Sequence, residues 1–343
     1  MTRKPAPKLP VRKVTAKEVA LRAGVSKWTV SRAFIDGASI SPKTLERVMS
    51  AASELGWRPN LLARSLSKKR SGIIGVVVDE MHNPNLIPLL DEVTHQLQTH
   101  GCVALLLNIS SSQRDEAILT LADQLQVDGL LFMGTLLSDE IIRLAKDIYQ
   151  VPLVQIGRSS ADPYIQVVTT DGYRAGREIA DLLHAEGYQH FAYMKGPDTD
   201  SSQLLRYDGY RDRLVELGVD AASIALFDAR HYQRDSGYRT FAQALQAGSP
   251  VDALFCENDI LAIGAIEAMR TVTPARHVGI VGFDGIELAA SPSFSLTTCG
   301  QPFSRLVPDA IRRLTTPGTK NTISSIPANC SCASLIVAPD ICQ

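Results

Sequence analysis

From residue 72 onward, short and nearly continuous apolar runs recur at 73–78, 103–107, 130–133, 153–156, 165–168, 191–194, 253–256 and 278–283. Amphipathic stretches such as 86–100, 115–126, 173–186 and 202–217 lie between many of them. A strand with one wet face alternates apolar and polar residues. A run apolar at almost every position is buried on both faces, as in a parallel sheet covered by helices. The pattern predicts an α/β core of doubly wound parallel sheets. Roughly 270 residues is long for one such sheet, so two subdomains side by side are expected.

The first 72 residues have another texture. They carry 16 Lys and Arg against four acids, whereas the remaining 271 residues carry 19 against 32. The formal net charge of -1 hides this division. The basic segment is expected to meet a polyanion. Residues 1–13 are rich in Pro, Lys and Arg and read as a disordered basic arm. Thr15-x-x-Glu18 forms a capping box that predicts a helix over 16–23, with Val19 and Ala20 facing inward. Gly24 supplies a turn, and Ser26 caps a second helix over 27–34. A third starts at Ser41 with Pro42 in its first turn and ends at Gly56. Two short helices joined by a tight turn, followed by a third, make a helix-turn-helix unit.

The second helix opens with Ser26 and presents Lys27, Trp28 and Arg32. Laid in a major groove, Arg32 can pair bidentately with guanine, and Lys27 can serve a base or a phosphate. Ser26 and the first backbone amides suit a phosphate at the positive end of the helix. The bland alternative is a small basic subdomain with solvated charges.

Other classes find less support. No apolar run approaches a membrane span of 18 or more residues. The positive N-terminus lacks the apolar stretch of a signal peptide, so a cytoplasmic protein is expected. The six cysteines are scattered, match neither zinc spacing nor a disulfide scaffold, and read as free thiols. No metal or cofactor is expected. An α/β enzyme carrying a DNA-binding tail is the main rival. The chain lacks GxxxxGK[ST], HExxH and a clear GxGxxG after a strand. Residues 24–28 begin like a nucleophile elbow but lack its closing glycine and precede the sheets. A catalytic triad assembled from distant positions stays open. A plain solute-binding protein would need an export signal and no headpiece.

The segment Val14-Thr15-x-x-Glu18-Val19-Ala20-x-x-Ala23-Gly24-Val25-Ser26-x-x-Thr29-Val30-Ser31-Arg32 resembles the DNA-binding headpiece of the LacI/GalR family of bacterial transcription regulators. The similarity continues through Glu54-Leu55-Gly56-Trp57-Arg58-Pro59-Asn60 and Ala63-Arg64-Ser65-Leu66. In the core it resumes at Ile74-Gly75-Val76, Glu257-Asn258-Asp259, Val281-Gly282-Phe283-Asp284 and Leu296-Thr297-Thr298. The resemblance spans roughly 14–338.

It implies a headpiece at 14–58, a hinge helix and linker at 59–71, and a periplasmic-binding-protein-like core at 72–343. The core's first subdomain is expected at about 72–167 plus 299–318, and its second at about 168–298 plus 319–343. Lys27, Trp28 and Arg32 take the family's base-reading positions, with Ser26, Thr29 and Ser31 near the backbone. Thr15 and Asn60 complete the headpiece contacts, and Leu66 is the wedge that enters a base step. In the cleft the resemblance points to Asp79, Ser202, Arg206, Tyr232, Asn258 and Asp284 as effector ligands, with Arg158 facing them. Asn258 has a purely structural alternative as a helix cap. The implied partners are a pseudo-palindromic double-stranded DNA operator, a sugar, sugar acid or sugar phosphate, and a second copy of the chain or a higher oligomer. The implied function is a ligand-responsive regulator, a repressor of carbohydrate-uptake or catabolism genes, with a corepressor-dependent regulator or activator as the alternative. Three departures stand out: Trp28 is bulkier than usual, Gly285 replaces a second Asp, and Ala338 stands where an Arg is common.

Overall fold

Side-chain caps delimit the three N-terminal helices. In the computed structural model, which describes residues 14–35, 38–58, 70–79, 81–109, 120, 122, 124–134, 142–143, 146, 151–160, 162–198, 204–272, 277–316 and 323–331, α1 is Ala16–Ala23. The Glu18 carboxylate accepts from the Thr15 N–H at 2.7 Å and from its hydroxyl at 2.8 Å. Gly24 ends α1 at φ 64°, a left-handed conformation that glycine adopts without a Cβ penalty. Ser26 caps α2 (Lys27–Ala33) by accepting from Thr29 N–H at 3.1 Å. Ser41 does the same for α3 (Pro42–Glu54) through Thr44 N–H at 3.3 Å. The helices close on Val19, Ala20, Ala23, Val30, Val48, Ala51 and Ala52. Arg47 on α3 donates to the carbonyls of Ala23 and Gly24, tying the third helix to the turn between the first two. The basic arm and the hinge positions Asn60 and Leu66 lie outside the described residues.

The chain divides at Ser71–Gly72 into two compact units. The second holds two six-stranded sheets. In the first, β1 (Ile73–Val78) lies between β2 (Val103–Asn108) and β3 (Gly129–Phe132), followed by β4 (Leu153–Ile156), β5 (Gln166–Thr170) and β11 (Ile323–Ile326). All these pairings are parallel. Helix α4 (Leu86–Thr99) and helix α9 (Phe303–Thr315) cover one face, burying Leu89, Val93, Leu306, Val307 and Ile311 against Ile74, Val76 and Val154. The second sheet runs β12 (Asn329–Ser331), β10 (Thr297–Gly300), β9 (Gly279–Asp284), β8 (Ala253–Cys256), β6 (Phe191–Lys195), β7 (Ala225–Asp228). Only β12 is antiparallel among its described pairings. Helices α5 (Gly172–Ala185) and α6 (Arg206–Glu216) line one face, and α7 (Arg234–Gln246) and α8 (Asp259–Val272) the other.

The doubly wound α/β architecture expected from the apolar runs is thus present, but the crossings between sheets fall elsewhere than expected. Residues 168–170 complete β5 of the first sheet, and β10 still belongs to the second. Residues 323–326, expected in the second subdomain, return to the first sheet beside β5, and β12 then joins the second. A crossing is decided by which strand edge is vacant, and no local residue pattern encodes that. Strands β10, β11 and β12 were absent from the expected set because Thr-Thr-Cys-Gly, Ile-Ser-Ser-Ile and Asn-Cys-Ser are not continuous apolar runs; β7 was absent although Ile224 to Phe227 is one. The Ala338 departure lies outside the described residues. The free-thiol expectation needs one correction: Cys256 is a free thiol, but Cys299 is disulfide-bonded. The antiparallel register sets the backbone of Cys330 opposite Cys299. This backbone juxtaposition could not be read from the spacing along the chain.

Candidate functional site

Strand order locates the cleft. In the first sheet the chain goes from β1 to β2 on one side and returns to β3 on the other; in the second it does so around β6, with β7 and β8. Ligands of open α/β sheets sit outside the carboxyl ends of the strands at such a reversal. A cavity of about 590 Å³, counted out to its open mouth, lies there. Its walls include Asn83, Asn85, Gly134 and Arg158 from the first subdomain and Arg206, Tyr232, Asn258 and Asp284 from the second, with Gln301 at a crossing.

Arg206 is the first residue of α6 and is only 5 % exposed. Its place depends on glycine: a Cβ on Gly176 would stand 2.2 Å from the Arg206 carbonyl oxygen, and one on Gly209 would stand 1.9 Å from that of Tyr173. Helices α5 and α6 therefore meet backbone to backbone. Gly176→Ala is expected to cost about 1–3 kcal/mol of core stability, as overpacking does, measured by urea unfolding. The Arg206 guanidinium lies 3.5 Å over the Phe283 ring, donates to the Glu257 carbonyl, and sits 3.9 Å from Asp284 Oδ1.

Asp284 ends β9 at φ 118°, a strained conformation for a residue with a side chain, and accepts from Gln301 Nε2 at 2.7 Å. Burial pushes its carboxyl up to about 7; Arg206 opposes this and Asp259 adds to it. Burial likewise lifts Asp259 to about 6, against the hydroxyl of Thr298 and the N–H groups of Gly285 and Ile286. Asp259 thus fixes the turn after β9. Both values lie above those of the unfolded chain. Between about pH 4 and 7 the folded core holds protons that the unfolded chain has released, so stability falls as pH rises through that window. Asp284→Asn is expected to flatten this slope in urea unfolding followed from about pH 4 to 8.

On the other wall, Arg158 Nη2 donates to the Tyr232 hydroxyl at 2.7 Å. Asn258 lines the cleft and also caps α8, its Oδ1 accepting from Leu261 N–H at 3.1 Å. The structural and ligand-facing readings of Asn258 are therefore compatible. Asp79 lies one layer back, its carboxylate packed against cleft-lining Gly134. Ser202 lies outside the described residues. The cleft thus brings together Arg158, Arg206, Tyr232, Asn258 and Asp284. Sequence reasoning missed Asn83, Asn85, Gln301 and Glu257. Only Glu257 had a signal, since it directly follows β8 at the carboxyl end of a strand.

In the N-terminal unit, Lys27, Trp28 and Ser31 on α2 are exposed, Trp28 at 65 %. Arg32 stacks its guanidinium 4.4 Å above the Trp28 ring. Thr15 and Ser26 sit at the N-termini of α1 and α2, where Ser26 and Thr29 share a 2.9 Å hydroxyl bond. Among the described residues no helix is long and apolar enough to cross a membrane, and no cluster of metal-ligating side chains occurs.

Residues 15–60 match the family described as bacterial regulatory proteins, lacI family. Residues 71–325 match periplasmic binding proteins and the sugar binding domain of the LacI family. The chain is 32 % identical over 88 % of its length, and 90 % of the relative's, to the HTH-type transcriptional regulator AscG of Escherichia coli K12. It is 28 % identical to the repressor CytR of the same strain, covering 84 % of this chain and 85 % of that one. Among solved structures, a Lac repressor dimer bound to operator and the anti-inducer ONPF superposes with a TM-score of 0.80 at 27 % identity, over 93 % and 97 % of the two chains. A complex of the regulator CelR with cellobiose gives 0.66 at 25 %, over 93 % and 98 %. Both matched regions, the helical caps and the paired sheets converge: the chain belongs to the LacI family of bacterial regulatory proteins.

Proposed function

We propose that this protein is a ligand-responsive transcriptional repressor of carbohydrate-uptake or catabolism genes, acting in the cytoplasm as a homodimer on a pseudo-palindromic operator. One observation carries the reading: the same chain holds an exposed basic recognition helix and a separate polar cleft at the reversal points of two parallel sheets. Lys27, Trp28 and Arg32 read base edges from the major groove, while Thr15, Ser26, Thr29 and Ser31 hold phosphates. Asn60 and the wedge Leu66 complete the DNA contacts. One headpiece reads too few base pairs for specificity, and two related by a dyad read a palindrome. The relatives matched are regulators rather than enzymes.

In the cleft, a sugar's paired hydroxyls meet Arg158, Arg206, Asn258 and Asp284, with Asp79 and Ser202 in support, and its ring face meets Tyr232. Arg158 is engaged by Tyr232, and Arg206 by Glu257 and Asp284. These bonds leave the two cationic groups able to meet a sugar, a sugar acid or a sugar phosphate. The ligand changes DNA affinity by its differential affinity for two closures of the core, a coupling of about 1–3 kcal/mol.

A thermal-shift screen of sugars, sugar acids and sugar phosphates tests the cleft. A sugar at 100 times its Kd is expected to stabilise the core by about 2.7 kcal/mol, a rise of several degrees in Tm. A panel in which no carbohydrate shifts Tm contradicts the reading.

A further inference from the structure

Glu257 is not among the residues lining the cleft, and its carboxylate accepts from three protein donors. Tyr232 donates its hydroxyl proton to Oε2 at 2.8 Å, Tyr193 donates to Oε1 at 3.2 Å, and the Gly196 N–H donates to Oε2. A hydroxyl has one proton. With that proton directed to Glu257, the Tyr232 oxygen faces Arg158 as an acceptor, and Arg158 Nη2 fills the place at 2.7 Å. Gly196 makes room for this arrangement, because a Cβ there would stand 2.1 Å from the Tyr232 ring.

The two ends of the chain of bonds belong to different halves of the core. Arg158 follows β4 of the first sheet, whereas Glu257 follows β8 of the second and is pinned there by its N–H to the Met194 carbonyl at 2.8 Å. The guanidinium, phenol and carboxylate thus form a charge-assisted relay across the cleft, with the phenol polarised from both sides.

Resting on the cleft reading above, we propose that Glu257 is a positioning residue that acts through Tyr232 to hold Arg158 across the cleft. It thereby sets how firmly the two subdomains are held together before a ligand enters. Glu257 makes no contact with the ligand. Its effect reaches the opposite wall only by way of the Tyr232 hydroxyl. A ligand that takes over Arg158 must break the relay, and one that leaves it intact adds to a cleft already bridged.

A double-mutant cycle on the full chain tests this without knowledge of the ligand. Arg158→Ala, Glu257→Gln and the pair are made both in the natural chain and in Tyr232→Phe, and core unfolding is followed in urea. The relay predicts that the double variant loses less than the sum of the singles, by about tenfold in the unfolding equilibrium constant. It predicts that this coupling vanishes in the Tyr232→Phe background. Single losses that add to within about twofold would overturn the proposal, since a merely structural Glu257 gives that result. Coupling that persists in Tyr232→Phe would overturn it too, because the charges would then act through space. Neither outcome bears on whether the cleft binds carbohydrate, which the thermal-shift panel decides separately.

Discussion

Replacing Arg206 with alanine is expected to abolish the response of DNA binding to ligand while leaving ligand-free operator binding in place. The side chain is buried, stacked on Phe283, bonded to the Glu257 carbonyl and set beside Asp284. Its loss would remove the fork proposed to hold paired hydroxyls and strand a buried carboxylate. Breaking a buried ion pair from one side costs about 3–5 kcal/mol when the remaining charge stays ionised. Asp284, already lifted to about 7 by burial, rises further once the guanidinium is gone and escapes part of that cost by taking a proton. The destabilisation should therefore be largest above about pH 8 and shrink toward pH 5. Urea unfolding across that range checks the stability, and operator titration with and without a sugar that shifts Tm checks the response. A retained response would move the effector site away from Arg206.

Arg32→Ala is expected to weaken specific DNA binding by about 1–3 kcal/mol and to relax preference at one base position, as loss of a bidentate base contact does. In the free chain the guanidinium rests on Trp28, so on the proposed reading the two side chains would enter the groove as a preformed pair. The bulky Trp28 would then order Arg32 before binding and lower the entropy lost on binding. Trp28→Ala should therefore weaken specific binding as well. Competition titrations on specific and random duplexes distinguish the roles. Equal weakening on both for Arg32→Ala would reject a base contact and make Arg32 a phosphate contact.

What could be read beforehand follows from where the information lies. The headpiece was legible because its signals are local: Thr15 with Glu18, Gly24, Ser26 and Ser41 each act within four residues, and the helices ended within a residue or two of expectation. Central strands were legible because burial on both faces leaves a continuous apolar run. Strands β10 and β11 carry no such run and went unseen, and with β10 went Gln301, which follows it and bonds Asp284. Cleft residues such as Arg158, Asn258 and Asp284 were legible as polar residues just after strands. Glu257 has the same placement, but its partners Tyr193 and Tyr232 come from β6 and from the segment after β7, so only the fold reveals its bonds. The raised carboxyl of Asp284 is likewise a property of the assembled cleft and of no short stretch of sequence.

The charge division at residue 72 acquires a physical sense in this frame. On the proposed reading the basic segment would supply the phosphate and base contacts, while the acidic excess of the core disfavours its adhesion to the duplex. One coupling joins the two parts. Its most direct test is the affinity of the full chain for a palindromic site that it selects from random DNA, measured with and without the sugar that gives the largest Tm shift. The predicted result is a change of about 5–150-fold that disappears in Arg206→Ala. A sugar that stabilises the core yet leaves DNA affinity unchanged would contradict it.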